Sequence, residues 1–204
     1  MNTRTAVLFF LFSLTVLQAF TQSNCSALGQ NPGTAFPVCG TASFTQNTVA
    51  ICGNRPVPGV GCTVTLTDKN PYWYKFTCYE AGTLGFLVTP KDLGDDYDWQ
   101  LYDITGHDPN DVFTDASLVV TGNWAGTFGK TGASANGVAF IQCASDPGAN
   151  LNSFSKMPQL LQGHEYLLLI SHRSCLPTRP SLHIIDLGQA FYKTFPVVFS
   201  AKVS

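Results

Sequence analysis

Apolar and polar residues alternate along this chain in short runs, a pattern typical of half-buried β-strands. In the stretch YDWQLYDI (97–104), an extended backbone places Tyr97, Trp99 and Leu101 on one face. Asp98 falls on the other face, which the alternation assigns to solvent. We therefore predict a strand that buries Trp99 and Leu101 and leaves Asp98 exposed.

Similar runs, separated by clusters of Gly, Pro, Asn and Asp, recur from residue 62 onward. The predicted strands are 62–66, 72–79, 83–89, 97–104, 117–122, 137–143 and 165–171, with weaker candidates at 181–186 and 195–199. Seven to nine short strands predict an all-β fold, an antiparallel β-sandwich of jelly-roll or immunoglobulin-like kind.

Helical periodicity is almost absent, and only two short helical turns are expected. DPNDVF (108–113) suits one of them, with Asp108 as N-cap and Pro109 at the first helical position. KMPQLLQ (156–162) is the second candidate.

The composition suits one globular domain with few charges. Of 204 residues, 45% are apolar and 12% are charged, the latter about half the usual share. The net charge is -2 and the chain has no cluster of Lys or Arg, which argues against a nucleic-acid partner.

The N-terminus has the features of a signal peptide. MNTR supplies a basic start, and the apolar run that follows (6–20) is shorter than the ~20 residues of a membrane span. We expect residues 1–21 to be a signal peptide, 22–187 the β-sandwich and 188–204 a C-terminal tail. The mature protein is then secreted or held at the cell surface, without a membrane span.

Export favours disulfide bonds between the cysteines, of which no two form a C-x-x-C motif. The seven cysteines are odd in number, so at least one thiol is left over. Spacing does not fix the pairing; a working guess joins Cys25 to Cys39, Cys52 to Cys62 and Cys78 to Cys143. The candidate disulfide cysteines are therefore Cys25, Cys39, Cys52, Cys62, Cys78 and Cys143.

Eight of the 13 acidic residues lie between positions 92 and 115, where no Lys or Arg occurs. Carboxylates are the hard oxygen ligands that Ca²⁺ prefers, and a cation would relieve their mutual repulsion. Ca²⁺ needs six to eight oxygens, so Glu80 or Asn123 would have to approach. The alternative is a set of solvated turns in which Asp serves as a turn and capping residue. The candidate ligands are Asp95, Asp96, Asp98 and Asp103.

Signals for catalysis are weak, and we expect no catalytic residue and no enzyme activity. Asp98 and Asp103 differ by an odd number of positions, so a strand would point them to opposite faces, against a glycosidase pair. The residue types of a Ser-His-Asp triad are present, but no motif arranges them.

The tryptophans suggest a carbohydrate ligand, because exposed aromatic rings stack on sugars. Trp73 and Trp99 occupy strand positions and are expected in the core. Trp124 lies in the glycine-rich loop TGNWAGTFGKTG (121–132) and is the candidate for glycan binding. The alternative is that Trp124 covers one end of the sandwich.

Several stretches resemble a domain of exported Bacteroidetes surface proteins. They are AFPVCG, NPYWYKFTCYEAGTLGFLVTP, DDYDWQLYDITGHDPNDVF, TGNWAGTFGKTGAS and GHEYLLLISH. The family comprises gliding-motility-associated, adhesin-like proteins handled by type IX secretion. The resemblance covers about residues 25–172 and is most specific over 71–111. It implies a β-sandwich related to CUB-like and pre-peptidase C-terminal modules, without enzymatic activity of its own.

The segment after His172 departs from that family. The family continues with a strand of the form Gly-Tyr-x-Leu-x-Phe, whereas this chain gives RSCLPTRPSLHIID and a basic tail, with no recognisable sorting domain. One hypothesis is an altered reading or truncation of a longer parent protein. The alternative is that SLHIID (181–186) is a diverged last strand.

Together these observations predict a non-catalytic exported or cell-surface module for adhesion or interaction. Its partner would be a surface glycan or protein, and calcium would be its one candidate cofactor. The alternative is an accessory or remnant domain of a secreted hydrolase that binds a glycan or another substrate.

Overall fold

A computed structural model confirms the all-β class and shows an open, sandwich-like arrangement of sheets. The residues that the structure describes are 24–38, 43–48, 50–143, 152–173, 183–186 and 199–200, the last two ranges by their backbone alone. The predicted signal peptide (1–21) lies outside the described residues.

Short strands make up most of the fold. In chain order they are β1 (Phe36–Pro37), β2 (Ser43–Gln46), β3 (Pro56–Val57), β4 (Leu66–Thr67), β5 (Pro71–Cys78), β6 (Gly82–Thr83), β7 (Phe86–Pro90), β8 (Tyr97–Asp103), β9 (Val119–Asn123), β10 (Thr131–Ser134), β11 (Ile141–Gln142), β12 (Phe154–Lys156), β13 (Gln159–Leu160), β14 (Glu165–His172), β15 (His183–Asp186) and β16 (Phe199–Ser200). Three 3-10 helices, Pro32–Thr34, Pro109–Phe113 and Ala116–Leu118, complete the secondary structure of the described residues.

Two sheets carry the fold. The larger has the order β1-β5-β14-β8-β9-β11, with β16 also paired to β5, and the smaller has the order β12-β10-β7-β15-β2. Two small ladders, β13-β6 and β3-β4, lie beside them. The strand at His183–Asp186 sits between β7 and β2, so the described part of the stretch predicted at 181–186 is a strand of the smaller sheet.

The strands with the longest apolar alternation match the predictions best. Those expected at 72–79, 97–104 and 165–171 are β5, β8 and β14, the centre of the larger sheet. They pair antiparallel over seven residue pairs at each of the two interfaces, β14–β5 and β14–β8. This antiparallel core places the start of β8 and the end of β14 side by side.

One of the two expected helical turns is confirmed. Pro109–Phe113 is a 3-10 helix, in which Asp108 accepts a hydrogen bond from the Asn110 N–H and Asp111 accepts one from the Asp108 N–H. The turn expected at 156–162 is wrong: Gln159–Leu160 is extended and pairs with Gly82–Thr83. Cross-strand pairing outweighs the weak local helix preference there.

Both faces of the larger sheet are buried. One face, with Trp99, Leu101 and Tyr166, packs on the smaller sheet through Phe86 and Val88. We call this the inner face.

The second face, which we call the outer face, is also covered. Trp73, Tyr102 and Trp124 lie on it, beneath the β3–β4 hairpin and the two 3-10 helices that contribute Val112 and Leu118. An alternating strand can therefore bury its polar positions too, which the period-two pattern did not indicate.

An ion pair fastens the hairpin on the outer face. Asp68 is fully buried and accepts hydrogen bonds from the backbone N–H groups of Asn54 and Arg55. The Arg55 guanidinium donates two more, from Nε at 3.0 Å and Nη2 at 2.8 Å, and lies 4.0 Å above the ring of Phe113. Every part of this carboxylate is thus satisfied.

The disulfides differ from the working guess. Cys25 is bonded to Cys52 and Cys62 to Cys143, while Cys78 is a buried free thiol. None of the three guessed pairs forms, because the fold joins cysteines 27 and 81 positions apart and sequence spacing does not indicate which. Cys39 lies outside the described residues.

No helix in the described ranges is both long enough and apolar enough to cross a membrane.

Candidate functional site at the acidic end of the larger sheet

Three central strands of the larger sheet meet at one end, where three of the four predicted metal ligands lie. β5 begins there at Pro71, β14 ends at His172 and β8 begins at Tyr97. We call this the acidic end, formed by residues 69–71, 91–98, 125–130 and 171–173.

Asp98 is the most unusual side chain of the acidic end. It is 1% exposed, so the expectation that it faces solvent is wrong, because the outer face of β8 is covered. Neither of its carboxylate oxygens accepts a hydrogen bond. Arg173 supplies the nearby positive charge, with Nε at 3.5 Å from Oδ2. Burial and the charge of Asp96 raise the pKa of Asp98 well above its usual value, against the pull of Arg173.

Asp96 precedes Asp98 by two positions and so lies on the same side of the chain. It is 9% exposed, and burial raises its pKa to about 6, with Arg173 opposing the shift. Its backbone carbonyl accepts a hydrogen bond from the Arg173 N–H at 3.0 Å. Arg173 is therefore held to the start of β8 by its backbone as well as by charge.

Ser171, the residue of β14 opposite Asp98, does not satisfy that carboxylate. Its hydroxyl donates to the carbonyl of Lys69 at 2.8 Å, and the Lys69 ammonium donates to the carbonyl of Arg173 at 3.1 Å. These bonds fix the end of β14 against the chain that leads into β5.

Asp95 belongs to a different group, on the inner face. Its Oδ1 lies 3.6 Å from Nε2 of His172, whose ring packs 4.4 Å from the ring of Tyr97. His172 is buried, and burial lowers its pKa although Asp95 favours the charged form.

Asp103 lies at the opposite end of β8, and one ion cannot bind both it and Asp98. Five residues of extended strand separate the two by about 16 Å. His164 Nδ1 is 2.6 Å from Asp103 Oδ2, and Thr105 donates to Oδ1. Burial opposes the shift, but the hydrogen bonds from Thr105 and His164 keep the pKa of Asp103 below its usual value.

The additional ligands expected for calcium are also elsewhere. Glu80 follows the end of β5 that is distant from the acidic end, and the Asn123 amide is engaged with Asn152 and Ser155. Among the side chains that the structure describes, no three His, Cys, Asp or Glu residues are grouped to hold a metal ion.

Trp124 does not lie at the surface as the glycan hypothesis required. It is fully buried, and its Nε1–H donates to Gln100 Oε1 at 2.7 Å. Trp124 is a core residue of the outer face, packed with Trp73 and Tyr102. Trp73 and Trp99 are also fully buried, as expected.

The exposed apolar residues of the acidic end are Leu93, which is 60% exposed, and Phe128, which is 54% exposed. Their two loops are bonded to each other: Phe128 forms an antiparallel bridge with Asp96, and the Gly129 N–H donates to the Asp95 carbonyl at 3.0 Å. Sequence reasoning overlooked Phe128, although it lies only four residues from Trp124 in the same loop.

The other end of the sheet has partial features of a catalytic site. The His164–Asp103 pair has the orientation of the acid and base in a triad. No serine hydroxyl among the described residues hydrogen-bonds the His164 ring. The nearby Cys78 thiol is buried and donates to the carbonyl of Glu80 at 3.1 Å, and burial raises its pKa.

No protein-family model, curated protein or solved structure matches this chain. The residues themselves therefore carry the functional argument. Arg173, whose guanidinium lies beside Asp98, is the residue of the acidic end that sequence reasoning missed. Its position just beyond a strand antiparallel to β8 was the available signal.

Proposed function

We propose that this protein is a non-catalytic, exported module for adhesion or interaction, which binds a surface glycan or protein through the loops of the acidic end. The observation that carries the proposal is the pair of exposed side chains, Leu93 and Phe128, on two loops bonded to each other.

Single exposed apolar residues are common on protein surfaces and need no explanation. Here, however, the two residues project from loops fixed to a buried β framework, the usual arrangement of binding loops on a rigid scaffold. Exposed Lys91 and Lys130 flank them. Phe128 thus takes the role of stacking aromatic that sequence reasoning gave to Trp124.

The proposed location is the exterior of the cell. Two disulfides are typical of chains that fold in an oxidising compartment, in agreement with a signal peptide at residues 1–21. The resemblance to adhesin-like proteins of the type IX secretion route adds the proposal that the module acts on the bacterial surface.

A glycan array and a cell-adhesion assay with the purified protein test the binding surface. We expect the double variant Leu93→Ser/Phe128→Ser to lose at least tenfold in binding, because it removes the apolar contact of both loops. Val138→Ser is the matched control, since Val138 is 75% exposed but lies between β10 and β11, outside the acidic end. Equal binding by the double variant and the wild type would refute the assignment.

A further inference from the structure

We propose that the loops of the acidic end bind an acidic polysaccharide, whose sugar rings stack on Phe128 and whose carboxylate or sulfate groups pair with Lys91 and Lys130. This inference rests on the proposed function and narrows its ligand from a glycan or protein to one chemical class. Its basis is the position of two lysines that the fold leaves without a partner.

Most basic side chains in the described part of the chain are engaged within the protein. They lie against an acid, a backbone carbonyl or an aromatic ring, as do Arg55, Lys69, Lys75, Lys156 and Arg173. Lys91 and Lys130 are the exceptions, since both are exposed and neither has an ion pair, a hydrogen bond or a ring contact with a described residue. Their charges are therefore available to a ligand.

Both free lysines leave the smaller sheet at the same end. Lys91 follows the last residue of β7 and Lys130 precedes the first residue of β10, and the two strands pair antiparallel. Antiparallel pairing places the end of one strand beside the start of the other. Leu93 and Phe128 lie two residues away from the lysines, in the same two loops. The free charges and the exposed apolar side chains thus belong to one surface.

Backbone contacts hold these loops in one arrangement. The Asp95 N–H donates to the Asp92 carbonyl at 3.0 Å, and the Asp92 carboxylate accepts from the Gly94 N–H at 2.9 Å. Gly129 has a φ of +90°, and a Cβ placed there would lie 3.5 Å from the carbonyl oxygen of Leu93. The loops are close together and already ordered, which lowers the entropy cost of binding a ligand.

The acids of this end are mostly turned inward. Asp96 and Asp98 are buried, and Asp95 lies against His172 on the inner face. Asp92 is the exposed acid of the loops, and its carboxylate already accepts a hydrogen bond within its own turn. Two positive charges and one negative charge therefore face solvent beside the exposed ring, which favours an anionic ligand over a cationic one.

The size of the surface favours a polysaccharide over an acidic protein. A stable protein interface takes about 20 to 30 residues from each side, whereas the exposed residues of these loops are 91–94, 128 and 130. A polysaccharide chain is narrow, and a single exposed ring can stack on one of its sugars. Phe140 is also exposed, but the Lys156 ammonium lies 5.3 Å from its ring centre. Phe128 has no cation or ring over it among the described residues, so its faces are open to a sugar.

Binding of the purified protein to immobilised polymers of defined charge tests the ligand class. Dextran sulfate and polygalacturonate supply the sulfate and the carboxylate, dextran is the neutral control, and poly-L-glutamate is the acidic polypeptide. We expect at least one acidic polysaccharide to bind, with an affinity that falls as NaCl rises, and both controls to bind more weakly. The sulfate and carboxylate arms show which anion is preferred.

Three variants assign the binding to the two lysines. Lys91→Gln/Lys130→Gln should lower the affinity for the acidic polysaccharide about fivefold at low salt and reduce its salt dependence, because two exposed ion pairs are lost. Lys91→Arg/Lys130→Arg keeps the charges and should bind as the wild type does. Lys156→Gln, which removes an exposed lysine beside Phe140, is the matched control and should leave binding unchanged.

The inference is overturned if dextran or poly-L-glutamate binds as tightly as the acidic polysaccharides, or if neither acidic polysaccharide binds. It is also overturned if Lys91→Gln/Lys130→Gln keeps the wild-type affinity or if Lys156→Gln loses as much. Binding in the glycan array or to cells that Leu93→Ser/Phe128→Ser loses, but the lysine-to-glutamine double variant retains, would remove this inference and leave the proposed function standing.

Discussion

At the scale of single residues, burial raises the pKa of acids in this protein even where hydrogen bonds satisfy the carboxylate. The Arg55 guanidinium and two backbone N–H groups satisfy Asp68 and so join the two ends of the β3–β4 hairpin, although burial still raises the pKa of Asp68. Asp96 and Asp98 have raised pKa values because burial outweighs the charge of Arg173. The ionised forms of Asp96 and Asp98 are therefore less favourable in the folded protein than in the unfolded chain.

The raised pKa of Asp96 predicts how the stability of Asp96→Asn compares with that of the wild type as pH changes. The pKa of Asp96 is about 6 in the folded protein and about 4 in the unfolded chain, so the folded state holds a proton that the unfolded state has released. The wild type then loses up to about 3 kcal/mol between pH 4 and pH 7 through this group, and Asp96→Asn does not.

Urea unfolding at several pH values measures the effect. We expect the difference in free energy of unfolding between Asp96→Asn and the wild type to widen as pH rises. The wild type must be compared with the variant at each pH, because other titratable groups of the acidic end also change the stability with pH. Asp98 adds a loss of the same sign, whereas His172, whose pKa is lowered, contributes stability that is lost as pH falls. Among the described residues, Arg173 is a charged neighbour of Asp96, and Asp95 and Lys69 are charged neighbours of His172. Asp108→Asn, at an exposed helix cap, is the control. A difference in free energy of unfolding between Asp96→Asn and the wild type that stays constant with pH would contradict the prediction.

At the scale of elements, the length of the alternating pattern governed which strands could be predicted. β5, β8 and β14 have seven or eight residues each, and their apolar period is visible in the sequence. β10, with the sequence TGAS, was not predicted, because small residues carry no such period. It forms because β7 and β12 pair with it on both sides.

Gly132 in β10 gives a direct test of that dependence on neighbours. Its φ is +150°, and a Cβ at this position would lie 2.1 Å from the backbone carbonyl oxygen of Phe86 in β7. We expect Gly132→Ala to lower the free energy of unfolding by at least about 2 kcal/mol, because the backbone must move apart. Chemical denaturation measures it. Gly33→Ala, where a Cβ meets no atom within 4 Å, should change little, and equal effects at the two sites would contradict the argument.

At the scale of the whole molecule, the disulfides join parts that are distant in the chain. Cys62–Cys143 connects the hairpin loop of the outer face to the end of β11, with a sequence separation of 81. Cys25–Cys52 has a separation of 27. A crosslink stabilises chiefly by restricting the unfolded chain, and the larger loop loses more freedom.

Removing either bond should therefore destabilise the protein by about 2 to 4 kcal/mol, with Cys62→Ser/Cys143→Ser about 1 kcal/mol worse than Cys25→Ser/Cys52→Ser. Urea unfolding of both double variants, with the reduced wild type alongside, provides the measurement. A larger loss for Cys25→Ser/Cys52→Ser would show that native contacts outweigh loop entropy in this fold.

The sequence by itself determined the all-β class, the three central strands and the Asp108-capped turn, because these follow from local period and local hydrogen bonding. Only the tertiary structure decided that Asp98 and Trp124 are buried, that Asp103 pairs with His164, that Arg173 faces Asp98 and which cysteines join. Alternation shows which residues share a face but not what covers that face. The hairpin and the 3-10 helices that cover the outer face come from distant parts of the chain, and only tertiary packing brings them onto the sheet.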